Sequence, residues 1–270
     1  VYWVPLFEVL EERGFSVKLV DARKVKNVSG RKTDVLDCQW LQQLESYGLL
    51  EGAYRPEDQI VILRSYVRQR AMLVKSAAIH IQHMQKALQQ MNLRLDTVVT
   101  DITGQTGMRI IKAMLAGERD VAKLGAMRDA RCKATADEIG ASLVGTYRRE
   151  HMFELKQAVE LFEVYQGKIA ECEAEMAAYL DTLTGGSGDE PPSGGGKRQT
   201  MSFDVRGHAY KLVGVDLFRI KELNAETVLR IVSEAGADLR AFPSAKHFAS
   251  WVCLSPNRGV SGGKGLSRRA

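Results

Sequence analysis

An unbroken apolar repeat between residues 155 and 183 limits the fold more than any other feature. Leu155, Ala158, Phe162, Tyr165, Ile169, Cys172, Met176, Tyr179 and Leu183 follow one another at alternating steps of three and four. That rhythm keeps one stripe of a helix turned toward the same neighbour, so it predicts a long helix with a coiled-coil type seam. Glu154, Glu160, Glu163, Glu171, Glu173 and Glu175 lie off the seam and give the helix an acidic exterior. A seam of this length needs a second helix to cover it. Pro56 opens a candidate running roughly to residue 91, with a stripe of Val67, Ala71, Val74, Ala78, Ile81, Met84, Leu88 and Met91. Off that stripe lie Arg64, Arg68, Arg70, Lys75 and Lys86, which form either a solvated basic face or a surface for a nucleic-acid backbone. The two helices could pair as an antiparallel hairpin, or the seam could meet another copy of itself. The spacing leaves both open.

The stretch between them, residues 101–147, reads as short helices broken by Gly104, Gly107, Gly117, Gly125, Gly140 and Gly145. No chemistry is legible there. His80 and His83 read as surface or packing residues, because no nearby acids or cysteines complete a metal set.

The N-terminal part has a different texture. Residues 5–13 predict a short helix with Leu6, Val9 and Leu10 on one face, stopped by Gly14. Phe15, Val17 and Leu19 then alternate with Ser16 and Lys18, the period of a strand. Helix followed by strand predicts part of an α/β sheet. A basic loop over residues 21–27 leads to a second helix from about Thr33, carrying Leu36, Trp40, Leu41 and Leu44.

That second helix begins with two acids, Asp34 and Asp37, just after the basic pair Arg31-Lys32. Positions three apart share a helical face, and two carboxylates so close repel unless a cation lies between them. Mg²⁺ suits such a pair, since it takes a few carboxylate oxygens together with phosphate and water. The plainer account is that Thr33 caps the helix and first-turn acids complement its dipole. Spacing alone does not separate the two.

Composition narrows the class. Hydrophobic residues at 45% and charged residues at 26% are those of a chain able to bury a core, and a net charge of +5 permits a polyanionic partner without requiring one. The four cysteines, Cys38, Cys132, Cys172 and Cys253, are scattered and form no C-x-x-C pair, so neither a zinc site nor a disulfide framework is indicated. A reduced, cytoplasmic setting fits that usage. No apolar run reaches the length of a membrane span, and no signal-peptide pattern is present. The first residue is Val1 and the opening is already apolar, so the chain is expected to begin inside a longer protein.

Residues 184–200 are rich in Gly, Ser and Pro and predict a flexible linker. Beyond it, the short runs 203–205 and 210–213 are bounded by turns. Asn224 predicts a helix cap for Val228, Leu229, Ile231 and Val232, ended by Gly236, and Ser244 another for Phe248, Trp251 and Val252. The chain closes with Arg258, Ser261-Gly262-Gly263-Lys264 and Arg268. Glycines beside a serine let backbone approach a phosphate, and the three cations would supply charge. A hydroxyl there could attack a phosphodiester if activated, or Ser261 is simply a turn residue. The domains expected are therefore 1–55, a helical and coiled-coil region 56–183, the linker 184–200, and a small, mostly α-helical module 201–270.

Several strings taken together resemble one family. VYWVPLFEVLEERGF, VDARKVKNVSGRKTDVLDCQWLQQLESYGLL, IHIQHMQKALQQMNL, DITGQTGMRIIKAMLAGERD and FPSAKHFASWVCLSPNRGVSGGKGLS are similar to the DEDD-type transposases of the insertion-sequence family "one-ten", the bridge-RNA-guided recombinases. The similarity covers nearly the whole chain apart from the linker.

The resemblance implies a RuvC-like N-terminal domain of RNase H fold, a coiled-coil insertion and a C-terminal serine-bearing domain. It implies that Asp34 and Asp37 are the last two acids of a Mg²⁺-binding set of three Asp and one Glu. It further implies that Ser261 is the nucleophile that links to DNA. The expected partners are DNA, a structured noncoding guide RNA, and further copies of the chain as dimers that pair into a tetramer. The expected setting is the bacterial cytoplasm, at the nucleoid. The family's first Asp and its Glu have no counterpart here, since they would precede Val1. The chain also stops soon after the serine string, and Lys221-Glu222-Leu223-Asn224 stands where the family has a Gly-rich turn. The chain alone is therefore expected to be inactive. The competing expectation is a non-enzymatic, nucleic-acid-binding or oligomerising remnant.

Overall fold

The computed structural model describes residues 3–25, 34–185, 201–252, 258–261 and 264–267. By its contacts the chain forms two units: residues 1–57 with 238–270, and residues 58–237.

The first unit opens with helices α1 (Trp3–Glu12), α2 (Ala22–Val25) and α3 (Asp34–Ser46). Gly14 and Gly48, both with positive φ, stop α1 and α3, each followed by a backbone bond that closes the last turn: Phe15 N to Leu10 O at 3.0 Å and Leu49 N to Leu44 O at 2.9 Å. The expected strand is a correction. Residues 15–21 have no regular secondary structure, and among the described N-terminal residues no ladder partner lies beside them. Alternation is only a preference. A strand exists when its N–H and C=O groups meet a second strand, and a backbone bond such as Ala53 N to Leu19 O at 2.6 Å does not by itself make one. The α/β expectation for the N-terminal portion is therefore not supported.

The second unit is built on α4 (Asp58–Gln90) and α9 (Arg149–Thr184), of 33 and 36 residues. They lie antiparallel. Tyr179 Oη donates to Gln59 O at 2.8 Å near one end, and His80 stacks on Tyr165 with ring centroids 5.3 Å apart farther along. The heptad seam is buried as its spacing predicts: Leu155, Ala158, Phe162, Ile169, Cys172 and Met176 all face inward, and within this chain α4 covers them. The stripe on α4 differs from expectation in its middle. Leu73 and Ala77 are buried, while Val74 and Ala78 are exposed. Arg70 explains the shift. Its charge is met by Glu173, so a cation occupies a place on the inner face that an apolar pattern excludes.

Between the long helices the chain makes a head of short helices: α5 (Leu95–Val98), α6 (Gln105–Leu115), α7 (Val121–Ala126) and α8 (Ala136–Ser142). Thr135 and Glu138 form a reciprocal capping box at the start of α8. Ile110, Ile111, Met114, Leu124, Ile139 and Leu143 are fully buried and join Met84, Leu88 and Leu155 in one core. At the open end of the hairpin, α10 (Val205–Val213), a 3₁₀ turn (Leu217–Arg219) and α11 (Ala225–Ala235) pack on Leu63, Met176 and Leu180 to make a second core. Asn224 caps α11 as expected, accepting from Thr227 N at 2.9 Å, while α10 was not legible from its short apolar runs.

The chain returns to the first unit with α12 (Ala245–Trp251), capped by Ser244, and an antiparallel hairpin of β1 (Arg258–Ser261) and β2 (Lys264–Ser267). The linker expected over 184–200 falls almost wholly outside the described residues.

Candidate nucleic-acid cleavage site

The two candidate acids sit on α3. Asp34 is its first residue and Asp37 stands one turn on, exposed, so the two positions share a face. Two contacts fix the helix behind them. Trp40 Nε1 donates to Val25 O at 3.3 Å, holding α3 to α2, and Lys18 bridges to Glu45 at 2.7 Å, holding its last turn to the extended segment. The carboxylate oxygens of Asp34 and Asp37 are of the hard type that suits Mg²⁺. Among the described residues no three His, Cys, Asp or Glu side chains gather closely enough to hold a metal ion. The pair fits such an ion in donor chemistry.

Ser261 ends β1, and the hairpin register sets it directly opposite Lys264. Gly262-Gly263 separates them in the sequence and lies outside the described residues. Arg258 lies at the far end of the same strand, opposite Ser267. Arg31, Lys32 and Arg268 lie outside the described residues.

An aromatic cluster missed in the sequence joins the stretch after α3 to α12 within the first unit. Tyr54, downstream of α3, packs against Phe242 with centroids 5.0 Å apart and against Trp251 edge-on at 5.6 Å. Phe248 completes the cluster, 5.2 Å from Phe242. Nothing in the local spacing of Tyr54 announces this, because its partners are almost two hundred residues away. Beside it, Arg55 lies over the Phe7 ring at 4.7 Å and bonds to Glu11 at 3.3 Å, tying α1 to the same strip of chain.

The basic face expected on α4 is largely spent inside the protein. Arg64 donates to Ser233 O and Glu234 O, Arg68 pairs with Glu234 at 2.8 Å, and Arg70 is buried against Glu173. Lys75 and Lys86 remain exposed.

Comparison with known proteins decides the class. Residues 1–93 match a family model described as a transposase, of the DEDD type found in IS110, and residues 217–270 match one described as Transposase IS116/IS110/IS902 family. The chain belongs to the IS110 family of transposases. No curated protein and no solved structure matches it. Asp34 and Asp37 fall in the first matched stretch of this transposase and Ser261 in the second. At the level of the family, its work is DNA transposition and recombination, its partner is DNA, and its DEDD-type domain points to divalent metal. Among the described residues, no helix of the transposase is long and apolar enough to cross a membrane.

Proposed function

We propose that the chain serves a transposase that cuts and rejoins DNA strands through Ser261, with Mg²⁺ held by Asp34 and Asp37 as half of a carboxylate set and the DNA sites chosen by a structured guide RNA, the chain by itself being inactive. What carries this reading is the pair of family matches, one containing both acids and the other the serine. In it, residues 1–55 form the metal-binding domain of RuvC-like type, 56–183 the helical region, 184–200 the linker and 201–270 the serine domain.

The chemistry conserves ester bonds. Ser261 Oγ attacks phosphorus, the Oγ–P bond forms, and the bond from phosphorus to the leaving deoxyribose oxygen breaks. The serine proton passes to base or solvent, and the leaving oxygen takes one up. Attack by a new strand's hydroxyl reverses these steps, so rejoining needs no external energy source. Lys264, opposite Ser261 in the hairpin register, supplies positive charge against the phosphate, and Arg258 contacts the nucleic-acid backbone. Arg31, Lys32 and Arg268 contact the nucleic-acid backbone. Asp34 and Asp37 would hold Mg²⁺, which would supply polarisation of a scissile phosphate and stabilisation of its leaving oxygen. Because RNA pairing carries the sequence information, the protein reads backbone and shape. The working form is a homo-oligomer, dimer to tetramer, at the bacterial nucleoid.

The test is a covalent adduct. The protein is incubated with Mg²⁺, DNA spanning the ends of its insertion sequence, and RNA transcribed from the adjoining noncoding stretch. In the protein extended to carry the remaining two acids, a DNA-linked band that survives denaturation and is lost with Ser261→Ala or with EDTA is the expected result, and the chain alone gives none. An adduct that persists with Ser261→Ala overturns the serine assignment. DNA binding without any adduct supports the non-enzymatic reading instead.

A further inference from the structure

The basic face of α4 is not neutralised along its whole length. Arg64, Arg68 and Arg70 are paired within the second unit, but Lys86 has no ion pair among the described residues. Arg149, the first residue of α9, has none either, and both side chains are exposed. Arg149, Phe153 and Gln157 follow at steps of four, so they share one face of α9, and the Phe153 ring is 60% exposed there. Between the two helices lies a groove of about 300 Å³, lined by His80, His83 and Lys86 from α4 and by Phe153, Glu154 and Gln157 from α9 among others. That volume is at the small end for ligand sites, so the groove suits one small planar group rather than a helix or a folded partner.

Three chemistries meet in this groove. Phe153 offers a π face on which a base can stack whatever its identity. Lys86 in the wall and Arg149, one turn from Phe153, set positive charge beside that face for the flanking phosphates. Glu154 and Gln157 then select the kind of strand. A carboxylate repels a phosphate but accepts from a hydroxyl, and the ribose 2′-OH is a donor that deoxyribose lacks. The present partner of Glu154, His151 at 3.2 Å, forms a solvent-exposed pair of little energetic weight, so the carboxylate can turn to such a donor. His80 adds a polar atom that the hairpin leaves unsatisfied. Its ring stacks on Tyr165 at 5.3 Å and meets His83 edge-on at 5.6 Å, while its Nδ1 is buried and makes no hydrogen bond among the described residues.

We propose that this groove holds one unpaired nucleotide of a single-stranded RNA, with its base on Phe153, its phosphates at Lys86 and Arg149, and its 2′-hydroxyl donating to Glu154. A duplex does not fit, because paired and stacked bases present no free face to the ring. The inference rests on the RNA-partner reading above and gives that RNA a surface on the hairpin.

The experiment is fluorescence anisotropy of a labelled uridine octamer titrated with the whole chain at several salt concentrations. The deoxyuridine octamer and the transcript of the adjoining noncoding stretch serve as further probes. The uridine octamer is expected to bind roughly fivefold or more tighter than its deoxy counterpart, and Glu154→Ala to bring the two within about twofold. Phe153→Leu keeps an apolar side chain but removes the ring, and weakens the uridine octamer roughly tenfold. Lys86→Gln flattens the slope of log affinity against log salt by about 0.7. All three positions are exposed, and circular dichroism confirms that the helices persist. A uridine octamer bound equally by the Phe153→Leu and Lys86→Gln variants, or left unbound while the transcript binds, overturns this groove and leaves the RNA reading standing. Equal affinity for the deoxyuridine octamer overturns the assignment to RNA. A chain that binds neither octamer nor transcript overturns both the groove and the RNA reading.

Discussion

Arg70 and Glu173 meet at 2.7 Å on the inner faces of α4 and α9, and both side chains are nearly buried. Glu173 also accepts from Ser202 N at 2.8 Å, so one carboxylate joins both long helices to the segment that enters α10. Removing one partner strands the other charge away from water. Arg70→Ala is expected to cost about 3–5 kcal/mol, while Arg70→Met paired with Glu173→Leu costs much less. Urea unfolding of the three proteins checks the ordering.

The same pair sets an acid limit. Burial alone would raise the Glu173 carboxyl. The bonds from Ser202 and Arg70 outweigh it, and the folded value lies below the ordinary 4.5. A depressed carboxyl stabilises the fold above its unfolded value, and that contribution is lost as pH falls through the folded value. Stability is therefore expected to decline below about pH 4.5, and less steeply in Glu173→Gln. Thermal melts across pH 3–7 read this out.

Asp37 separates two roles. As a first-turn acid it is worth about 0.5 kcal/mol through the helix dipole, and being exposed it packs against little. As a metal ligand it is indispensable. Asp37→Asn is expected to leave the unfolding midpoint almost unchanged while reducing the serine–DNA adduct by roughly a hundredfold or more. Equal activity in the variant would return Asp37 to its plain helical role.

Tyr54 holds the downstream edge of the acid-bearing segment to α12. Each aromatic pair of this kind adds about 0.5–1.5 kcal/mol beyond area burial. Tyr54→Leu is expected to destabilise the first unit by about 1–2 kcal/mol and to shift the fluorescence of Trp251. The α4–α9 unit, followed by the far-ultraviolet helical signal, should melt as before.

Gly125 on α7 lies directly against the Ala136 carbonyl at the start of α8, where a Cβ has no room. Gly125→Ala is expected to cost about 1–3 kcal/mol by forcing the two short helices apart. Differential scanning calorimetry would register it as a lowered transition of the head.

The sequence was most legible where one period ran long. Leu155 to Leu183 could only be a helix with a covered seam, and the caps Asn224 and Ser244 act where their chemistry required. It was least legible where tertiary partners override local preference. Phe15, Val17 and Leu19 alternate like a strand, yet a strand needs a ladder that the described residues do not give it. Arg70 looked like a surface cation because nothing local reveals a carboxylate 103 residues away. Tyr54 carried no signal at all. Asp34, Asp37 and Ser261 were readable only as short motifs until long matching strings surrounded them.

The two cores of the α4–α9 unit impose an order on synthesis. Leu73 to Cys172 suffices to seal the head end, and its contacts run between neighbouring helices and across one hairpin. The other core needs Leu63 to find Met176 and then residues as late as Val232. A chain emerging from the ribosome can therefore close the head while the open end still lacks its cover, leaving Leu63, Met176 and Leu180 bare until α11 arrives. The stretch most exposed to chaperones and proteases during translation is thus the end of the hairpin that looks, once finished, as tightly sealed as the other.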